Sequence, residues 1–491
     1  MCAWVSIRER EACTGICHKR CGSPEERQII YMEESYDNER RQSSIFEVRQ
    51  YGAKGDGITK DTSAIQRAID ACAQAGGGTV LLAGGVFLSG GLYLKSNVML
   101  ELAASATLLA SGDIADYGED THHNRYRNEE ALDRCFLFAA DAENIGILGH
   151  GQIDGNAEAF PNQGSIYRPM LLRFLRCRHI CLENVRLHNA AAWTTAFLDS
   201  TDIRVRGVDI WNERRYNGDG LDFDGCSHVF VSDCRIRGTD DNLCLQSSSE
   251  AYLVEDIHIV NCEFTSLCAG IRIGLKSIGS IRNVVISNCT FRNVWREGIK
   301  IECSEGGEIS DIVIRGIAMQ NVSRPVWILL NNRFEPEDYG SSLELSGIPA
   351  IGKLRNVLIS DMTITDEEEM EHVHYRFGDD VMGSPRFGGM RIDAEERHPI
   401  EGVVMKNILY TAVGGVKKSE IPEEYPKVLD REKDAKGISS ENYYPDWSRA
   451  VFLDCRNVRN LILEDWILHR RNPDEREGVI VEGCRVIRQE I

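Results

Sequence analysis

The sequence predicts an all-β chain wound as a single-stranded right-handed parallel β-helix of about ten coils, with a short capping helix at its N-terminal end. Three observations point there: a strand phrase that recurs at near-constant spacing, a second strand pattern that aligns within each coil, and one amphipathic helix ahead of the repeats.

The phrase opens on Asn, Asp or His (once Gly) and continues with alternating apolar residues. It reads Asn144-Ile-Gly-Ile-Leu, His179-Ile-Cys-Leu-Glu, Asp202-Ile-Arg-Val-Arg, His228-Val-Phe-Val-Ser, Asp256-Ile-His-Ile-Val, Asn283-Val-Val-Ile-Ser and Asp311-Ile-Val-Ile-Arg, and returns at Asn356, Gly402 and Asn460. Starts 202, 228, 256, 283 and 311 lie 26 to 28 residues apart, too long for a hexapeptide coil and right for a three-sided one. The later intervals of 45, 46 and 58 residues imply insertions, placed at 366–400 and 413–447. Long loops on a rigid scaffold tend to line a binding site.

Ahead of the repeats, Phe46-Glu-Val-Arg-Gln-Tyr-Gly-Ala-Lys-Gly-Asp-Gly57 reads as a strand entering a glycine turn. Asp61 then N-caps a helix whose apolar face is Ala64, Ile65, Ala68, Ile69 and Cys72, ended by Gly76, Gly77 and Gly78. A solenoid needs such a helix to cover its first coil, where strand edges and core would otherwise be open. The glycine run follows the helix instead of opening it, which speaks against a phosphate cradle. Residues 1–44 are polar and aperiodic and are expected to be a mobile extension, with Met32 a candidate true start; 45–491 form one catalytic solenoid.

With 42% hydrophobic and 27% charged residues, the chain can bury a large core. Its net charge of −20 argues against a nucleic-acid partner. No stretch approaches the roughly 18 apolar residues of a membrane span, and the start lacks the apolar run of a signal peptide, so a cytoplasmic protein is expected. Of the 17 cysteines, Cys234, Cys262 and Cys289 recur at one phase of the repeat, which reads as reduced thiols stacked in the core, not disulfides or zinc ligands.

The second strand reads Gly220-Leu-Asp-Phe-Asp224, Asn242-Leu-Cys-Leu-Gln246, Gly270-Ile-Arg-Ile-Gly274 and Gly298-Ile-Lys-Ile-Glu302. Alternation points Leu221, Leu243, Ile271 and Ile299 inward and leaves Asp222, Cys244, Arg272 and Lys300 as an outward ladder. Asp219 (Asn217-Gly-Asp-Gly220) and Asp240-Asp241 (Gly238-Thr-Asp-Asp-Asn242) precede the first two strands. Any one such aspartate, taken alone, is usually no more than a turn residue. Several within one or two coil spacings repel one another, and raised pKa values in such a cluster suit a general acid. Glycoside hydrolysis uses that arrangement: one protonated carboxyl for the leaving oxygen, another carboxylate to activate water or attack carbon. Arg272 and Lys300 either pair with the acids as stacked opposite charges do or bind substrate, where a uronic acid suits a bidentate arginine. Trp193, Trp295 and Trp327 are candidates for stacking on sugar rings or for packing, and Arg386, Arg391 and His374 are insert residues that could reach the site.

Over about 46–330 these residues resemble glycoside hydrolase family 28, the polygalacturonase family of the pectin-lyase-like β-helix superfamily. The resemblance rests on Tyr51-Gly-Ala-Lys-Gly-Asp-Gly57 with Asp61-Thr-Ser-Ala-Ile-Gln66, on Gly149-His-Gly-Gln-Ile-Asp-Gly155, on Asn189 to Trp193, and on Asn217-Gly-Asp219 and Asp240-Asp241, similar to the family's Asn-Thr-Asp and Asp-Asp. It implies Asp240 as general acid and Asp219 and Asp241 as activators of water with inversion, and Lys300 matches the family's lysine; with Asn217, Asp222 and Arg272, Lys300 is expected to bind substrate, and no metal or other cofactor is expected. Two positions depart: the family's Gly-His-Gly is Cys268-Ala-Gly270, and its Arg-Ile-Lys is Gly298-Ile-Lys300. With the inserts and the expected cytoplasmic location, the reading is an intracellular exo-acting hydrolase of pectic oligosaccharides. A lyase using Lys300 or Arg272 as base with the acids on Ca²⁺, and a non-catalytic carbohydrate-binding solenoid, are the alternatives.

Overall fold

The computed structural model describes residues 44–121, 133–161, 168–331, 351–367, 384–421 and 447–491. Among the described residues all strand-to-strand pairings are parallel and connect each strand to its counterpart one turn on, and the chain is a right-handed parallel β-helix. The column built on the recurring phrase starts at Ile45–Glu47, Gly78–Leu82 and Val98–Leu102 and ends at Arg485–Glu490. It holds fourteen strands among the described residues, against the ten coils that the phrase marks out. Ile45–Glu47, Gly78–Leu82 and Arg485–Glu490 are not led by Asn, Asp or His, and Asn97-Val-Met-Leu fits the phrase but stands 47 residues before Asn144.

The opening residue of the phrase has a conformational cause. Asn144, Asp202, Asn283 and Asn356 have φ of 54°, 56°, 54° and 57°, the left-handed region that Asn and Asp tolerate best after glycine. Stacked at one corner, their side chains hydrogen-bond along the column: the Asn144 amide donates to Asn97 Oδ1 at 2.9 Å and the Asn356 amide to Asp311 Oδ1 at 2.8 Å. Inside the coil, like residues fall over like: Phe174, Phe197 and Phe223 stack with ring centroids 5.1 and 4.9 Å apart.

The helix Thr62–Gln74 buries the five expected residues against the first coils. Asp61 precedes it but its side chain does not cap it. Its two oxygens accept instead from the Lys54 and Gly55 backbone N–H groups at 2.7 and 2.8 Å, tying the glycine turn to the start of the helix. Thirteen described cysteines, Cys234, Cys262 and Cys289 among them, are free thiols. No helix among the described residues is long and apolar enough to cross a membrane. Residues 1–43 of the expected extension, and His374, lie outside the described residues.

Candidate active site

The second strand pattern forms its own column, and its register carries the site. Asp222 pairs with Cys244, Cys244 with Arg272, Arg272 with Lys300, Lys300 with Trp327, Trp327 with Arg391, and Arg391 with Asp454. The inward neighbours Leu221, Leu243, Ile271 and Ile299 are fully buried, as alternation requires. The outward residues are also nearly inaccessible: Asp222 is 3% exposed, Arg272 5% and Lys300 0%. Facing away from the core here does not mean facing bulk water, so each polar group depends on its neighbours.

The turns that enter the first two strands stack in register. Gly220 N donates to Asp241 O at 3.0 Å, which puts Asp219 and Asp241 on successive rungs. Asp241 is buried; its Oδ2 lies 2.8 Å from Arg272 Nε, its Oδ1 accepts from Ala269 N at 3.2 Å, and Cys244 Sγ donates to it at 3.4 Å. Asp240 is only half-buried, and its carboxyl accepts from Asp241 N at 3.0 Å. The adjacent pair thus divides into one carboxylate held by a cation and one at the edge of the site.

Asn217 adopts φ 55°, and its Oδ1 accepts from Arg168 Nη2 at 2.7 Å. Arg168 also donates to the Tyr216 carbonyl, so one guanidinium fixes the turn that presents Asp219. Sequence reasoning passed over Arg168 because it lies 49 residues from Asn217 and belongs to no repeated pattern. Lys300 turns to its own strand, with Nζ 3.0 Å from Glu302 Oε2 and 5.0 Å from the Trp327 ring centre. Glu297 was also missed. Burial alone would raise its carboxyl, but Arg324, Arg296, Lys300 and Arg272 together hold it down at about 2. Of the insert candidates, Arg391 lies in a strand of the column itself, Met390–Ala394, while Arg386 pairs with Glu420 at 3.0 Å. Trp327 is a rung of the ladder, whereas Trp193 packs in an apolar cluster with Phe138, Met170 and Leu198.

Two groups bring three potential ligand atoms within 4.8 Å of one another: Asp219, Asp222 and Cys244, and Asp240, Asp241 and Cys268. Each includes a sulfur, which a hard, oxygen-seeking Ca²⁺ does not favour. Burial, reinforced by Asp241, pushes both the Cys244 and the Cys268 thiol well up, so both stay protonated and neutral.

Comparison with known proteins agrees with this arrangement. The family model described as glycosyl hydrolases family 28 matches residues 89–382, more than half the chain. A probable polygalacturonase of Vitis vinifera is 26% identical over 366 residues, covering 64% of this chain and 73% of that protein. The exo-poly-alpha-D-galacturonosidase of Dickeya chrysanthemi is 26% identical over 346 residues, covering 58% and 56%. Among solved structures, the family 28 exopolygalacturonase of Yersinia enterocolitica superposes with a TM-score of 0.66 at 18% identity, covering 91% of this chain and 79% of that one. With the family match spanning all four aspartates, the chain belongs to glycosyl hydrolases family 28 and is a glycosidase acting on O-glycosyl bonds.

Proposed function

We propose that the chain is an inverting, exo-acting galacturonidase that trims pectic oligouronides in the cytoplasm. The observation that carries the reading is the division of Asp240 from Asp241: one half-buried carboxyl at the edge, its neighbour buried against Arg272. On this reading Asp240 protonates the leaving oxygen, while Asp219 and Asp241 take the proton of a water that attacks the opposite face of the ring and inverts the anomeric carbon. Asn217, Asp222, Arg272 and Lys300 hold the sugar being released.

The altered motifs fit a changed set of sugar contacts around an unchanged pair of acids. Cys268 stands where the family has histidine, and its neutral thiol supplies no charge. A substrate carboxylate then falls to guanidinium groups: Arg272 on the rung before, and Arg296 and Arg324 flanking Gly298, where the family's arginine would stand. Exo action is supported by the insertions that follow the site and by the likeness to the Dickeya enzyme. The cytoplasm is supported by the thiol-rich core, which suits a reducing compartment.

The test is to incubate the protein and its Asp240→Asn variant with pectic oligouronides and neutral aryl glycosides, following reducing ends, product size and ultraviolet absorbance. Release of monomeric uronate from the first time points, by the unmutated protein only, is the expected result. Early release of long products would replace exo with endo action. An ultraviolet-absorbing product abolished by a chelator would mean elimination, not hydrolysis.

A further inference from the structure

Three turns stack at the edge of the site, and they are not alike. Residues 213–220 join Asp209–Asn212 to Leu221–Asp224 with eight residues, whereas 239–242 and 267–270 make the same connection in the next two coils with four each. Turns of equal length can pair rung on rung, as Asn242 N does with Ala269 O at 2.9 Å. The longer turn, which carries Asp219, has more backbone groups than its four-residue neighbour can match, and buried backbone groups need partners.

A hydroxyl supplies them. Thr239 is fully buried, and its Oγ1 accepts from Gly218 N at 3.0 Å and donates to Arg215 O at 2.5 Å, so one side chain on the Asp240 turn holds both arms of the Asp219 turn. The two backbones lie almost in contact: a Cβ on Gly218 would stand 2.4 Å from Thr239 Oγ1, and one on Gly238 2.2 Å from the Gly218 carbonyl oxygen. On the other side Ser266, 1% exposed, donates from Oγ to the Asp240 carbonyl oxygen at 2.6 Å and accepts from Cys268 N at 2.8 Å. The Asp240 turn is thus tied to a neighbour on each side through a buried hydroxyl. Asp241 is anchored through its own carboxylate on Arg272, whereas these hydroxyls act on the backbone that carries Asp240.

We propose that Thr239 and Ser266 are positioning residues that set where the Asp240 carboxyl stands relative to Asp219. The inference rests on the reading of Asp240 as general acid and Asp219 as an activator of water. An inverting hydrolase needs roughly 6.5–9.5 Å between its two carboxyls to admit a water, and a displacement of about 1 Å can cost on the order of 10²-fold in rate. A hydroxyl suits this place because it donates and accepts at once, which neither valine nor alanine can do. The two differ in what they touch: Ser266 holds the turn of the acid to the turn beyond it, while Thr239 joins the turn of the acid to that of Asp219. Loss of Ser266 therefore acts on protonation of the leaving oxygen, and loss of Thr239 acts on that step and on attack by water.

The experiment measures kcat and KM for the unmutated protein, Asp240→Asn, Ser266→Ala, Thr239→Val and Thr239→Ser. Two substrates are compared, a galacturonate oligomer and a dinitrophenyl galacturonide, whose leaving group departs without a proton. With both assayed on one preparation, the ratio of the two kcat values does not depend on how much of a variant is folded. Ser266→Ala should lower kcat on the oligomer about 30-fold with KM little changed, and on the aryl galacturonide less than about threefold. Thr239→Val should lower both about 30-fold, and Thr239→Ser should recover most of each. A ratio that Asp240→Asn shifts and Ser266→Ala does not would overturn the positioning role alone. Equal losses on both substrates in Asp240→Asn would remove the acid reading, and the positioning role with it. If neither substrate is turned over, crystal structures decide: an Asp240 carboxyl displaced by about 0.5 Å or more in Ser266→Ala keeps the positioning and fails the galacturonidase reading, and an unmoved carboxyl overturns both.

Discussion

The rungs that carry Asp219, Asp222, Asp240 and Asp241 differ in kind from those that follow with Arg272, Lys300, Trp327 and Arg391, although one sheet face bears them all. At the acid end, carboxylates crowd within 4.8 Å of one another and of a thiol. At the cation end the sign alternates: Lys300 with Glu302, Arg324 with Glu297, Arg391 with Asp393. Like charges held together cost stability, whereas buried opposite charges cost it when one partner is lost. The two ends should therefore answer substitution in opposite ways, the first in turnover and the second in stability.

The largest effect is expected at the acid end. Asp219→Asn should lower kcat by about 10²–10⁴, followed by reducing-end release, while the thermal midpoint stays level or rises because like charge has been removed. A drop in midpoint of many degrees would erase the contrast between the ends. At the cation end, Lys300→Met should cost about 3–5 kcal/mol by leaving Glu302 buried without its ammonium, and the double change Lys300→Met with Glu302→Gln should regain most of it in urea unfolding. A double variant as unstable as the single one would mean that the pair is not the unit of stability.

Away from both ends, Asp366 sharpens the comparison by carrying a pH dependence of its own. Burial raises its carboxyl to about 7 from an ordinary 3.8, with the Tyr410 hydroxyl and Arg471 opposing. The folded chain thus keeps a proton that the unfolded chain releases, so this contribution is full below about pH 4 and is lost as pH rises towards 7, at about 1.4 kcal/mol per unit. Asp366→Asn should flatten the fall in thermal midpoint between pH 5 and pH 8; an undiminished fall would place the titrating group elsewhere. The smallest effect belongs to the corner column: Asn356→Ala should cost about 1–2 kcal/mol, since alanine strains at φ 57° and the bond to Asp311 is lost.

Periodicity made the column of Asn144 to Asn460 and the rungs Asp222, Cys244, Arg272 and Lys300 readable, because a period of two and a repeat of 26 to 28 residues survive any choice of surface residue. The first and last coils were harder to see because other residues lead most of their strands. Pairings across the site were not legible. Arg168 reaches Asn217, and Arg476 reaches Phe387 and Ser448, across stretches of sequence with no common period. Alternation gave the direction of Lys300 but not its partner, since Glu302 on its own strand and Trp327 on the next rung both lie within its reach along the face.

In-register stacking has a consequence for how such a chain could vary over generations. Most coils add one corner residue, usually asparagine or aspartate, with a set of inward apolar residues and an outward rung, so duplicating or deleting a single coil shifts everything beyond it along the axis while largely preserving its facing. A coil gained between Lys300 and Trp327 would carry Trp327 and Arg391 one step farther from the aspartates. The scaffold would then act as a ruler graduated in strand spacings, and the reach of the face could change without touching a residue that meets the scissile bond.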